Sequence, residues 1–171
     1  MKKLLFLFII LTIFLSGCGI YNLSFFTIPD DTEFLTLIEE LDTPEKIGNY
    51  MLDNFIYESH PYYVLSPYQL YKSGKGDCND FSAFFIFIAN YHNYETYQIH
   101  IFFKEKSIKH MLGVYLENDK YNFSDNQYYI FVNSPDFKTI INYYNAFLIN
   151  LTWSKYIVYD YNMNIVEQIT K

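Results

Sequence analysis

Cysteine is scarce in this 171-residue chain, present only at positions 18 and 78. With four histidines scattered along the rest, there is no cluster of Cys and His at the close spacing a zinc site needs, and no metal is expected. Basic residues number twelve against nineteen acidic ones, for a net charge of -7, and they form no basic stretch. That balance argues against nucleic acid as a partner. Gly74 and Gly76 lack the context of a phosphate-binding loop, so no nucleotide cofactor is expected. Internal repeats and low-complexity tracts are absent. The longest apolar stretch, Leu4 to Leu15, is twelve residues interrupted only by Thr12, short of the roughly 20 that span a bilayer.

What is present begins at that stretch. Lys2 and Lys3 precede it, and Leu15-Ser16-Gly17-Cys18 follows it, which is the layout of a secretory signal peptide. The last four residues resemble the bacterial lipobox, whose cysteine is acylated on sulfur and becomes the new N-terminus. Residues 1–17 are therefore expected to be a lipoprotein signal peptide, and residues 18–30 a lipidated cysteine with a short tether. Residues 31–171 would form one domain. A lipidated Cys18 is unavailable for a disulfide. Without Lys2 and Lys3 the net charge moves from -7 to -9, so membrane attachment is expected through acyl chains, more than one of which gives stable anchoring. The expected location is the cell membrane, facing the extracytoplasmic side.

The domain reads as helices first and strands second. Thr32 to Leu41 has helical spacing. In "DTPEKIGNYMLDNF" Thr43 can cap and Pro44 suits the first helical position, with Ile47, Met51 and Phe55 on one face. A short turn of helix fits Pro67 to Tyr71. Asn79 to Ala89, "NDFSAFFIFIA", is apolar nearly all round, the mark of a helix covered on every side, with Cys78 at its N-terminal end. Thr96–Phe103, Met111–Leu116, Tyr121–Ser124 and Tyr128–Val132 read as strands. A helix is expected within Pro135–Leu148, and a closing hairpin from Ser154–Asp160 and Ile165–Gln168. One helical layer against an antiparallel sheet is an α+β arrangement.

The hairpin around "ENDK" carries the chemistry. With Asn118 and Asp119 as its loop, Glu117 faces Lys120, Leu116 faces Tyr121, Val114 faces Phe123 and Leu112 faces Asp125. Alternation then puts His110, Leu112 and Val114 on one apolar face with Phe123 and Asp125. His110 and Asp125 lie diagonally at the open end, within reach across the strands, on the face expected to meet the Cys78 helix. A thiol at its reference pKa of about 8.5 is mostly protonated at neutral pH, while the thiolate is the nucleophile. A helix N-terminus and an imidazolium favour the thiolate, and Asp77 and Asp80 oppose it. Asp80 can also serve the helix start by accepting orphan N–H groups. His60, His92 and His100 read as surface or structural residues.

"GKGDCNDFSAFF", then His110 in "KHMLGVY" and Asp125 in "KYNFSDN", resembles the transglutaminase-like superfamily of papain-fold cysteine enzymes. The order of Cys, His and Asp matches, as does a cysteine at a helix start with its partners on adjacent strands. The approach "SPYQLYKSGKGDC" is similar too, and Tyr57 falls where related sequences often carry an aromatic. The likeness covers roughly residues 44–130; the upstream tryptophan of some relatives is missing, since the single Trp is Trp153. The resemblance implies Cys78 as nucleophile, His110 as general base and acid, Asp125 as the orienting carboxylate and acyl transfer through a thioester. Gln69 is a candidate side-chain oxyanion donor beside the Cys78 backbone N–H. The expected function is amide or peptide hydrolysis on a protein or peptide substrate, with transamidation open. The alternative is a catalytically silent binding or scaffolding lipoprotein that retains the fold.

Overall fold

The computed structural model describes residue 26 and residues 28–60, 63–104, 108–149 and 151–171. The signal peptide, the lipobox and Cys18 lie outside the described residues. Among the described residues, four helices come first. In α1 (Thr32–Glu40) Asp31 is the N-cap, accepting from the Phe34 N–H at 3.1 Å, and Phe34 and Ile38 are buried. In α2 (Pro44–Asn54) Thr43 caps, Pro44 opens the helix, and Ile47 and Met51 are buried. A two-residue strand β1 (Ile56–Tyr57) pairs in parallel with β2 (Lys75–Gly76), and α3 (Pro67–Ser73) lies between them. α4 (Cys78–Tyr91) follows immediately.

From Asp80 to Ala89 every residue of α4 is buried. Phe81, Phe84, Phe85, Ile86 and Ile88 have no exposed surface at all, and full burial of such side chains contributes about 1.5–3 kcal/mol each. These side chains form a core with α1, α2 and α3. Phe26, from the segment read as a tether, joins that core: its ring stacks on Tyr161 with centroids 4.7 Å apart.

The second half is a six-stranded antiparallel sheet. Its strands are β3 (Glu95–Phe103), β4 (Lys109–Glu117), β5 (Lys120–Asp125), β6 (Tyr128–Ser134), β7 (Trp153–Asp160) and β8 (Ile165–Thr170), in the order β6-β5-β4-β3-β7-β8. Between β6 and β7 run α5 (Phe137–Tyr143) and a π-helical turn, Tyr144–Ile149. The β4–β5 register pairs Leu112 with Asp125, Val114 with Phe123, Leu116 with Tyr121 and Glu117 with Lys120, as alternation predicts. Asn118 and Asp119 sit at φ 51° and 58°, the left-handed pair that a two-residue hairpin loop demands and that Asn and Asp tolerate.

The architecture is α+β, but the sheet has two covered faces where one helical layer was expected. Gly113 and Tyr115 face α4: a Cβ on Gly113 would stand 3.1 Å from Phe85 Cδ1 and 3.3 Å from the Ser82 carbonyl. On the same face the Gln98 amide donates to Ser82 Oγ at 2.7 Å. Leu112, Val114, Phe123, Ile99 and Val158 point the other way, into a second core closed by Phe137, Ile140, Ile141 and Tyr144 of α5 and its continuation. The apolar face that carries His110 and Asp125 therefore meets α5 and its π-turn rather than α4. The aromatic wealth of the chain obscures this, because both faces of the central strands are apolar enough to be inner faces.

Candidate active site

The site grows from the start of α4. Asp77 is the N-cap and Asp80 sits at the third helical position in a reciprocal capping box. The Asn79 N–H donates to Asp77 Oδ1 at 2.9 Å, and the Asp77 N–H donates to Asp80 Oδ2 at 2.7 Å. Such a cap satisfies helix-start donors reciprocally. Cys78 is the first helical residue, partly exposed, with its thiol free.

His110 and Asp125 come together at the open end of the hairpin. His110 Nε2 lies 2.7 Å from Asp125 Oδ1, and their side chains are only 13% and 18% exposed. Cys78 lies near enough to the imidazole to act on its charge. Although α4 packs on the opposite face of the sheet, Ser82 of α4 lies against Gly113 of β4, so the first turn of α4 falls level with the beginning of that strand. His110 and Cys78 are thus carried to the same end of the sheet.

Burial works most strongly on His110 and favours the neutral ring. The hydrogen bond to Asp125, with the negative charge of Asp125 and Cys78, outweighs it and holds the imidazole pKa up at about 9 against an ordinary 6.5. At neutral pH the ring is therefore an imidazolium, the state that stabilises a thiolate beside it. Tyr57 flanks the sulfur from β1: burial first, then the negative charges of Cys78, Asp77 and Asp80, push its phenol upward, so it keeps its proton.

Gln69, the candidate oxyanion donor, uses its side-chain oxygen at the start of α3. It is exposed, and its carboxamide oxygen accepts from the Ser66 N–H at 2.9 Å while the Gln69 N–H donates to Ser66 Oγ at 3.3 Å. This is the capping box of α3. A Ser-x-x-Gln spacing ahead of a helix carries that signal. His92 and His100 are structural: His92 Nε2 contacts the Ile38 carbonyl oxygen at 2.7 Å, and the His100 ring lies 4.2 Å from that of Phe102.

Asp80 and His60 were under-read. Asp80 has no exposed surface. Besides the Asp77 N–H, it accepts from the Leu65 N–H at 2.7 Å and contacts His60 Nε2 at 2.6 Å. One carboxylate thus ties the loop after β1 to the helix that carries Cys78. Ligand-type atoms of His60, Asp77 and Asp80 lie within 4.8 Å of one another, and among them His60 Nε2 is hydrogen-bonded to Asp80 Oδ2. The absence of a side chain at Gly76 makes room for it: a Cβ there would lie 2.7 Å from Asp80 Oδ2 and 2.8 Å from Leu70 Cδ1. Tyr144 is the other residue the sequence did not single out; its ring lies parallel to the His110 imidazole.

No family model matches the sequence, and no curated protein matches it either. Among solved structures, the chain aligns with a candidate cysteine protease from Cytophaga hutchinsonii at 12% identity and a TM-score of 0.48, over 91% of this chain and 57% of that one. The chain spans a little over half the length of that protein, and a likeness this low leaves the functional reading to rest on the site's own geometry.

Proposed function

We propose that this chain is a membrane-anchored lipoprotein whose transglutaminase-like, papain-fold domain hydrolyses an amide or peptide bond through Cys78, His110 and Asp125. The observation that carries the reading is the His110 imidazole, paired with the Asp125 carboxylate at 2.7 Å and within electrostatic reach of the Cys78 sulfur. In the proposed cycle the Cys78 thiolate attacks the substrate carbonyl carbon. The negative charge that develops on the oxygen is received by the Cys78 N–H, since the capping carboxylates take the amides on either side of it. The tetrahedral adduct collapses, the C–N bond breaks, and His110 gives its proton to the departing amine. Water, activated by the now neutral imidazole, attacks the thioester carbonyl; the C–S bond breaks, and the carboxylate product leaves the thiolate and imidazolium restored. Asp125 holds the ring in orientation and stabilises its charge throughout. An amine in place of water would make the same cycle a transamidation.

The test is the pH dependence of iodoacetamide labelling at Cys78, with and without His110→Ala. At neutral pH the variant is expected to label about tenfold more slowly, because a thiol without an adjacent cation is mostly protonated there. Identical labelling in the two proteins would overturn the enzyme reading in favour of a silent binding module. The anchor has its own check. Cys18→Ala is expected to move the protein from the membrane pellet to the soluble fraction, and retention in the pellet would exclude lipidation at Cys18 as the anchor.

A further inference from the structure

The turn that follows α5 is π-helical from Tyr144 to Ile149. Such turns are rare and frequently occur at functional sites, where they re-aim a side chain. The first residue of this one is Tyr144, and its ring lies on the His110 imidazole with centroids 5.3 Å apart and planes 4° from parallel. Tyr144 is 4% exposed, and Phe123 meets its ring edge-on with centroids 6.5 Å apart. Burial first, and then the negative charges of Asp125 and Cys78, keep its phenol protonated. Tyr144 therefore lies against His110 and within electrostatic reach of Asp125 and Cys78.

We infer that Tyr144 is a positioning residue for His110: its ring is the floor on which the imidazole lies, fixing the ring plane and keeping water from the His110–Asp125 bond. The inference rests on the Cys-His-Asp reading for its catalytic meaning and on geometry for its physical content. A single hydrogen bond from Nε2 to Asp125 sets the direction of the imidazole but leaves rotation about that line, and the terminal torsion of histidine is intrinsically broad. A parallel ring at this separation removes that freedom, and offset stacking is a favoured geometry. The face of an aromatic ring also attracts a cation within about 6 Å, so Tyr144 stabilises the imidazolium over the neutral ring.

The charged and titratable groups around His110 come from every neighbouring element: Asp125 from β5, Cys78 from α4, His100 from β3 and the adjacent Lys109 of β4. His100 is lowered to about 4, by burial first and then by Lys109, His110 and Lys155. It is neutral wherever His110 titrates. The attractive partners of the imidazolium are thus Asp125, the sulfur and the Tyr144 face.

Tyr144→Phe keeps the ring, and Tyr144→Met replaces it with an apolar chain flexible enough to repack. The readout is the titration of the His110 ring protons by NMR, alongside the pH profile of Cys78 labelling and the melting temperature. Tyr144→Phe is expected to titrate as the wild type does. Tyr144→Met is expected to titrate lower by about 0.5–1 pH unit, with the rise of Cys78 labelling moved to higher pH. An unshifted titration in Tyr144→Met, or a shift in Tyr144→Phe as large as in Tyr144→Met, overturns the positioning role. Should Tyr144→Met fail to fold, a shifted Tyr144→Phe titration still overturns it and an unshifted one supports the ring as the active element. Failure of the enzyme reading is seen separately, as labelling indifferent to His110→Ala, because the NMR titration does not depend on catalysis.

Discussion

Asp80→Ala is expected to lower the unfolding free energy by about 3–5 kcal/mol, the range for removing one partner from a buried charged cluster, as measured by urea denaturation. The Asp80 carboxylate is fully buried and is held by the Asp77 and Leu65 N–H groups and by the His60 ring. Truncation leaves all three groups facing a void that Gly76 and Leu70 wall off. A buried donor without an acceptor costs about 1–3 kcal/mol, and here there are at least two. Asp80→Asn retains one acceptor oxygen and should fall between the wild type and the alanine variant. A loss under about 1 kcal/mol in Asp80→Ala would mean that the cap relaxes onto solvent, and that the loop after β1 is not fastened through this residue.

The second large effect is a dependence of stability on pH through His110. The folded imidazole holds its proton up to about 9, against 6.5 in the unfolded chain. Below about pH 6.5 both states are protonated, and the contribution of the ion pair is fully present. Between the two values the unfolded chain has released a proton that the folded chain keeps, so stability declines as pH rises; above about 9 the contribution is gone. Across this window the His110 proton alone would account for a loss of about 3 kcal/mol, from which the proton given up in forming the proposed Cys78 thiolate is to be subtracted. Urea unfolding at several pH values from 6 to 10 checks it against His110→Asn, whose curve should be flatter by that amount. Parallel curves for the two proteins would show that the imidazole gains no proton affinity on folding.

Much of the site was legible because it is local in sequence. A two-residue loop at Asn118–Asp119 sets the register of every pair on its hairpin, and strict alternation then carries His110 and Asp125 to one face. The start of α4 was legible for the same reason, as Asp77 and Asp80 stand at the N-cap and third positions that reciprocal capping requires. Long-range features were not. Leu112 and Gly113 look equally suited to an interior, and only the close approach of α4 to Gly113 tells which face meets which helix. His60 is remote in sequence from Asp80, in a loop with no periodicity to place it. Tyr144 depends on a π-turn, for which apolar patterning has no signature, and Gln69 was read by residue type although its spacing from Ser66 already described a cap. Phe26 reads as tether because the short stretch around it, though rich in apolar residues, has nothing in local sequence to show what it packs on.

The tight hairpin has a consequence for how reactivity arises during folding. His110 and Asp125 are joined through a two-residue loop, and hairpins close within about 1–10 μs, so the acid–base half of the site can assemble from its own strand pair. The sulfur arrives separately, when an aromatic helix more than thirty positions upstream docks on the sheet. A chain caught halfway would display an ordinary, sluggish cysteine, and a quick-reacting one announces that both layers have closed. Under the proposed mechanism, Cys78 would in this sense be a built-in gauge of completed assembly.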